Sequence, residues 1–233
     1  MCIRDRFNSA KARLDVIGVL MDLIDWITAL PFCRFSVLNF DCCSVDSWAN
    51  HWREWDTLIR VARRRLAKVH ALLVRYQSVP RTDPRLFDLH SFIMALRPLL
   101  HIRNLSVVGL NTVYPANVDA GIRALTQAWP LLEALGIEIP QAAAIQAIKP
   151  YHLIQLLQGC PVLQSLKLPL CGHFGPMHVA PIPELRHQLR HLAILNLSSY
   201  DTKSWFDING VMLRRLMSRA QVTWLLYDIP RIL

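Results

Sequence analysis

Glycine is scarce in this chain: 8 residues in 233, none of them grouped into a loop able to cradle phosphate. No G-x-S-x-G elbow and no H-E-x-x-H pair occurs. The sequence therefore offers no sign of P-loop nucleotide chemistry, α/β-hydrolase acyl transfer or zinc hydrolysis of the usual kinds. Charge is also thin, at 18% of residues. Long uninterrupted apolar runs are missing as well. The best N-terminal candidate, Leu14–Leu30, carries Asp15, Asp22 and Asp25, which are costly in lipid. Its apolar piece Val16–Met21 is too short for a signal-peptide core, and no small-residue cleavage site follows.

Acidic residues are the minority, 17 against 26 lysines and arginines, giving a net charge of +9. Such an excess raises an anionic partner as a possibility, to be judged by where the charges lie. Six cysteines are few for the length: Cys2, Cys33, Cys42, Cys43, Cys160 and Cys171. They fall among core-like positions, which predicts reduced, buried thiols and a cytoplasmic or nuclear location. Cys160, Cys171, His173, His178 and His187 match no C-x-x-C spacing, so no metal and no cofactor is expected.

What the chain has in abundance is apolar residues, 53% of the total, and these recur with a period. Seven segments share the form apolar-x-x-apolar-x-apolar. The first four are Phe35-x-x-Leu38-x-Phe40, Val69-x-x-Leu72-x-Val74, Ile102-x-x-Leu105-x-Val107 and Leu132-x-x-Leu135-x-Ile137. Leu163-x-x-Leu166-x-Leu168, Leu192-x-x-Leu195-x-Leu197 and Val222-x-x-Leu225-x-Tyr227 follow. Their central residues are 34, 33, 30, 31, 29 and 30 positions apart. The closing apolar-x-apolar step has the period of a strand, with alternate side chains on opposite faces.

Between these segments the period becomes helical. Ile122, Leu125 and Trp129 lie on one face behind a cap expected at Asp119; Leu153, Leu156 and Leu157 precede Gly159; Leu213, Leu216 and Met217 follow a cap expected at Asn209. A longer helix, with a cap expected at Ser47, places Trp48, Trp52, Trp55, Ile59 and Leu66 roughly together as core. Pro130 and Pro161 stop their helices before the strand. One strand and one helix per unit of about 30 residues, with leucines at fixed offsets, is the leucine-rich-repeat plan. The expected fold class is α/β, a solenoid of about seven strand–helix repeats with a parallel sheet on the concave face and helices on the convex face.

A repeat array works by presenting a surface. The residues flanking each inward pair are the expected concave face, with binding candidates Asn39, Asp41, Arg75, Asn104, Ser106, Glu138, Ser165, Lys167, Asn196, Ser198, Trp224 and Asp228. The same register turns Ile194 outward and makes Trp224 the one outward tryptophan. Two cations against three anions make no phosphate-tracking groove, whereas Trp and Arg are common protein-contact anchors. The basic run Arg60–Lys68 falls on a convex helix, where charges are ordinarily solvated, so nucleic acid is disfavoured as a partner. The irregular segment Cys171–Glu184, broken by Gly172, Gly175, Pro176, Pro181 and Pro183, adds His173, Phe174 and His178 as loop candidates.

Two resemblances carry further expectations. The stretches AWPLLEALGIEI and GCPVLQSLKLPL resemble the "CP-x-L-x-x-L-x-L" repeats in the leucine-rich half of fungal F-box-type proteins. The likeness extends from about Phe32 onward. It implies a non-catalytic receptor arm of a cullin-type ubiquitin ligase, holding a target protein on the concave face. No F-box stands in this sequence, so an adaptor partner is implied only if one lies upstream. A stand-alone leucine-rich-repeat binding protein without ligase linkage is the alternative, followed by a nucleic-acid-associated module using the basic run Arg60–Lys68. Separately, Met1–Arg6, MCIRDR, resembles the translation of a sequencing-library adapter, with native sequence expected from Phe7 and a fragment open at both ends.

Overall fold

The computed structural model describes residues 2–6, 13–29, 35–43, 48–66, 68–76, 87–109, 115–138, 148–170, 188–196 and 221–226. Among the described residues, eleven strands and five helices run in the order β1 (Cys2–Arg6), β2 (Arg13–Gly18), α1 (Leu20–Ala29), β3 (Val37–Cys42), α2 (Trp48–Leu66), β4 (Ala71–Tyr76), β5 (Phe87–Asp88), α3 (Leu89–Leu96), β6 (Asn104–Gly109), β7 (Pro115–Ala116), α4 (Val118–Ala128), β8 (Ala134–Glu138), α5 (Pro150–Gly159), β9 (Ser165–Leu170), β10 (His191–Asn196) and β11 (Gln221–Leu226). Nine strands form one sheet, in the order β1-β2-β3-β4-β6-β8-β9-β10-β11, while β5 and β7 pair separately. From β2 to β11 every neighbour is parallel. Only β1, drawn from the adapter-like segment, runs antiparallel to its neighbour β2.

The α/β class and its parallel sheet are as the periodicity predicts. Leu38, Leu72, Leu105, Leu135 and Leu166 are register partners in turn, and each is buried. Two residues on, Phe40, Val74, Val107, Ile137 and Leu168 are buried beside them. Consecutive helices pack against each other, α1 on α2, α2 on α3, α3 on α4 and α4 on α5. Their apolar stripes join the inward strand residues in one continuous core. In that core Trp55 meets Phe40 and Phe92 edge to face, with ring centroids 6.0 Å away in both pairs. Trp55 and Trp129 are core, as expected; the side chains of Trp48 and Trp52 lie outside the described residues.

A backbone ladder ties each unit to the one before it. Four consecutive N–H groups, on His70, Arg103, Glu133 and Gln164, donate to the carbonyls of Ser36, His70, Arg103 and Glu133. Arg190 continues the series by donating to Gln164 at 2.8 Å. That last bond changes the expected register. Leu192, not Leu195, stands opposite Leu166, while Leu192 with Val222 and Leu195 with Leu225 pair as the two motifs predict. The sixth unit is thus Leu189-x-x-Leu192-x-Ile194, with all three residues buried. A second difference lies at the other end. Leu14 and Val16 of β2 are buried opposite Leu38 and Phe40, so an extra strand and helix precede the first unit expected from sequence. Lys11 occupies the place where the motif's leading apolar residue would stand, which hid this unit.

Helix ends have local causes. Asp88 caps α3 by accepting from the N–H groups of His90 and Ser91, and the Ser91 hydroxyl donates back to it at 2.6 Å. α4 begins at Val118 rather than behind Asp119: Asn117 is its cap residue, in the left-handed conformation (φ 50°) that Asn tolerates better than most. Asp119 instead sits in the first turn, where a carboxylate suits the helix dipole. The caps expected at Ser47 and Asn209, and the helix expected at Leu213–Met217, lie outside the described residues.

Candidate functional site

Strand order here never reverses. In open α/β sheets ligands ordinarily sit in the crevice where the order switches, and a sheet that runs in one sense from β2 to β11 has no such point. All five helices contribute to a core on one side of it. The other face, though parallel sheets are usually covered on both faces, is covered by no helix among the described residues along β3, β4, β6, β8 and β9. This face holds a groove of about 550 Å³.

The groove's residues come from the outward positions of successive strands. Asn39, Arg75, Asn104, Ser106, Glu138, Ser165 and Lys167 line it together, with Ala71, Leu73, Val108, Ala134 and Gly136 between them. Seven of the sequence-derived candidates therefore share one cavity. Its floor is low at the centre: Gly136 is the register partner of Ser106, and a Cβ added there would lie 3.1 Å from the Ser106 hydroxyl. Asp41 stands beside the groove on β3, opposite Arg75.

Charges on this face are paired from strand to strand. Lys167 Nζ lies 2.8 Å from Glu138 Oε1, and Arg75 lies 3.5 Å from Asp41. On β2, Arg13 Nε donates to Asp15 at 2.8 Å, and the Asn39 amide donates to the same carboxylate. Arg75 and Asp41 do not form a hydrogen bond, and Asp41 Oδ1 is shielded from solvent without one. Cations that already face carboxylates hold little free charge for a phosphate backbone.

The corrected register bears on two candidates, Asn196 and Trp224, the first of which has a β9 partner other than the one expected. Position 196 stands opposite Leu170 and Leu226. Position 224 stands opposite Ile194, which is 1% exposed. A shift of three residues reverses strand parity, and Ile194, expected outward, is buried. Ala193 takes the open-face place opposite Lys167. Ser198, Asp228, His173, Phe174 and His178 lie outside the described residues.

The helix side carries one polar cluster that spacing did not reveal. The Tyr151 hydroxyl donates to Asp119 at 2.6 Å, and His152 Nε2 lies 2.9 Å from the same carboxylate oxygen. His152 Nδ1 accepts from the Lys149 backbone N–H at 2.9 Å, which assigns the proton to Nε2. Tyr151 and His152 hold the Asp119 carboxyl below its ordinary range. Burial pushes His152 below its usual value, with Asp119 pulling the other way, and bonding to Asp119 raises the Tyr151 hydroxyl to about 12. Both imidazole nitrogens are engaged, so this histidine has no lone pair to offer a substrate proton; it closes the first turn of α5 instead. No group of three metal-ligating side chains occurs among the described residues.

The basic run behaves as a helix surface. Arg60 is exposed on α2 and pairs with Asp56 one turn earlier; Lys68 is exposed beyond the helix end, and the side chains of Arg63, Arg64 and Arg65 lie outside the described residues. Cys42 and Cys160 are buried cysteines outside any disulfide, and burial pushes the Cys160 thiol up to about 12. No helix among the described residues is long and apolar enough to cross a membrane. Searches against protein-family descriptions and curated proteins match nothing to this chain.

Proposed function

We propose that the chain is a leucine-rich-repeat solenoid serving as a non-catalytic protein-binding scaffold, with the open strand face as its contact surface. The observation that carries the reading is the groove itself, in which seven outward residues from five successive strands line one depression over a single core. Three further facts support it. The repeat spacing and the unreversed strand order suit an array. The charges on the face are already paired. The Asp119–His152 cluster has no free base.

The resemblance to fungal F-box-type repeats makes the finer proposal a substrate-receptor arm of a ubiquitin ligase. A full-length reading frame with an F-box ahead of these repeats supports that arm. A completed frame without one leaves the scaffold reading alone, as a stand-alone binding protein.

The surface is tested by site-specific photocrosslinking in cells. A photoreactive residue at Ser106 or Ala134, on the open face, is expected to trap a protein partner. The same residue at Arg123 or Gln127, exposed on α4, is expected to trap none. Partners captured only from α4 would overturn the assignment of the face.

A further inference from the structure

The helix-to-strand turns of successive units lie side by side, because the backbone ladder holds His70, Arg103, Glu133 and Gln164 in one row. Two positions before these residues stand Lys68, His101, Leu131 and Val162; three positions before the last three stand Leu100, Pro130 and Pro161. Neighbouring turns thus bring Leu100, Pro130, Leu131, Pro161 and Val162 into one apolar strip. Val162 is half-buried and the other four are exposed. Leu100, at 69%, is the most exposed large apolar side chain among the described residues, and Leu131 keeps 51%. A single exposed leucine is ordinary, but an apolar strip crossing three units marks a contact surface.

Cations flank the strip. Lys68 and Arg97 are exposed at its Leu100 end, and Arg190 is exposed one unit beyond Val162. The Arg103 guanidinium donates to the Leu131 carbonyl at 3.3 Å, which sets a cation directly beside the apolar side chain. Within the described turns 68–70, 97–103, 127–133, 158–164 and 188–191 these four cations stand against one carboxylate, Glu133, which lies 3.7 Å from Arg103. None of these residues lines the groove, so the edge and the open strand face are separate surfaces.

We infer that this edge docks on an anionic lipid membrane surface, with the apolar strip entering the headgroup layer and the cations facing acidic headgroups. Five side chains fall far short of the roughly 20–30 residues a side of a stable protein interface. A second copy of the chain would bring two positive edges together. A bilayer demands neither that area nor a matched shape. A few inserted apolar side chains beside basic residues give weak, reversible attachment. Long Arg and Lys stems lie along the apolar layer while their charges stay at the headgroups. Attachment by this edge goes beyond the scaffold reading and leaves the strand face available to a protein partner.

The test is co-sedimentation of the purified chain with vesicles of phosphatidylcholine alone and of phosphatidylcholine mixed with phosphatidylserine. Binding is expected to the mixed vesicles only, and to weaken as salt is raised. The double variant Leu100→Ser, Leu131→Ser is expected to lower the partition coefficient about tenfold or more. Lys68→Gln and Arg97→Gln are each expected to lower it roughly fivefold. Arg60→Gln, on the exposed surface of α2, is expected to leave it unchanged. All five positions are exposed, and circular dichroism melts check that the variants remain folded. No binding to the mixed vesicles, or binding that survives the double leucine variant, would overturn the inference. A photoreactive residue at Leu131 that traps protein rather than lipid in cells would give the edge to a protein partner instead. Tighter binding of a single-stranded oligothymidylate than of mixed vesicles would give it to nucleic acid.

Discussion

The indole N–H of Trp129 donates to the backbone carbonyl of Leu99 at 2.8 Å, across 30 residues and wholly within the core. Cys160 repeats the arrangement one unit later, its thiol lying 3.5 Å from the Trp129 carbonyl. Leu99, Trp129 and Cys160 each lie six positions before an inward strand leucine: Leu105, Leu135 and Leu166. The residues that end α4 and α5 are thus each fastened to the corresponding residue of the preceding unit. Trp129→Phe keeps most of the ring but leaves the Leu99 carbonyl without this donor. A loss of about 1–3 kcal/mol in unfolding free energy is expected, measured by urea titration. An unchanged midpoint would show that the bond does not form in solution.

Helix interfaces here depend on two glycines. A Cβ at Gly121 would lie 2.6 Å from Leu89 Cγ, and one at Gly159 would lie 2.4 Å from Thr126 Cβ. In an exposed helix, Gly→Ala is favourable by about 1 kcal/mol. At Gly121 the clash between α3 and α4 is expected to reverse the sign, costing about 1–3 kcal/mol. Leu89→Ala removes the clashing atoms, so Gly121→Ala should be better tolerated in that background. Additive losses in the double-mutant cycle would argue against the contact.

Acid should weaken the α4–α5 junction in two stages. Burial keeps His152 below the usual 6.5, so the unfolded chain takes up this proton at higher pH than the folded one. Its contribution is complete above pH 6.5 and is lost as pH falls through the folded value. Tyr151, then His152, hold Asp119 below 3.8, so its share persists above that pH and disappears only in stronger acid. Urea midpoints measured from pH 8 down to pH 3 should fall in that order. His152→Gln should flatten the first stage and spare the second; a first stage that survives the substitution would assign it elsewhere.

Ile194 discriminates between the two registers of the sixth unit. Buried opposite Leu168, it should cost about 2–5 kcal/mol on Ile194→Ala. An outward Ile194, as the apolar spacing alone suggests, would cost almost nothing. A loss below about 0.5 kcal/mol, the usual range for surface substitutions, would return β10 to the earlier register.

The pattern of apolar residues determined a great deal by itself. Leucines about 30 residues apart, a two-residue alternation after each, and prolines at Pro130 and Pro161 specify strand–helix units, because no unit of that size can bury its own apolar face. Asn39, Arg75, Asn104, Ser106, Glu138, Ser165 and Lys167 could be placed on one surface because strand parity follows from their leucine neighbours.

Only the tertiary structure decided the rest. The residues around Leu192 satisfy the motif twice, as Leu189-x-x-Leu192-x-Ile194 and as Leu192-x-x-Leu195-x-Leu197, and periodicity cannot choose between them. The backbone bond from Arg190 to Gln164 and the pairing of Leu192 with Leu166 select the first. Charge balance was legible as a count, but its presentation was not. That Lys167 leans on Glu138 and Arg75 on Asp41 depends on which strands lie side by side, a relation between residues 29 and 34 positions apart that no local pattern encodes.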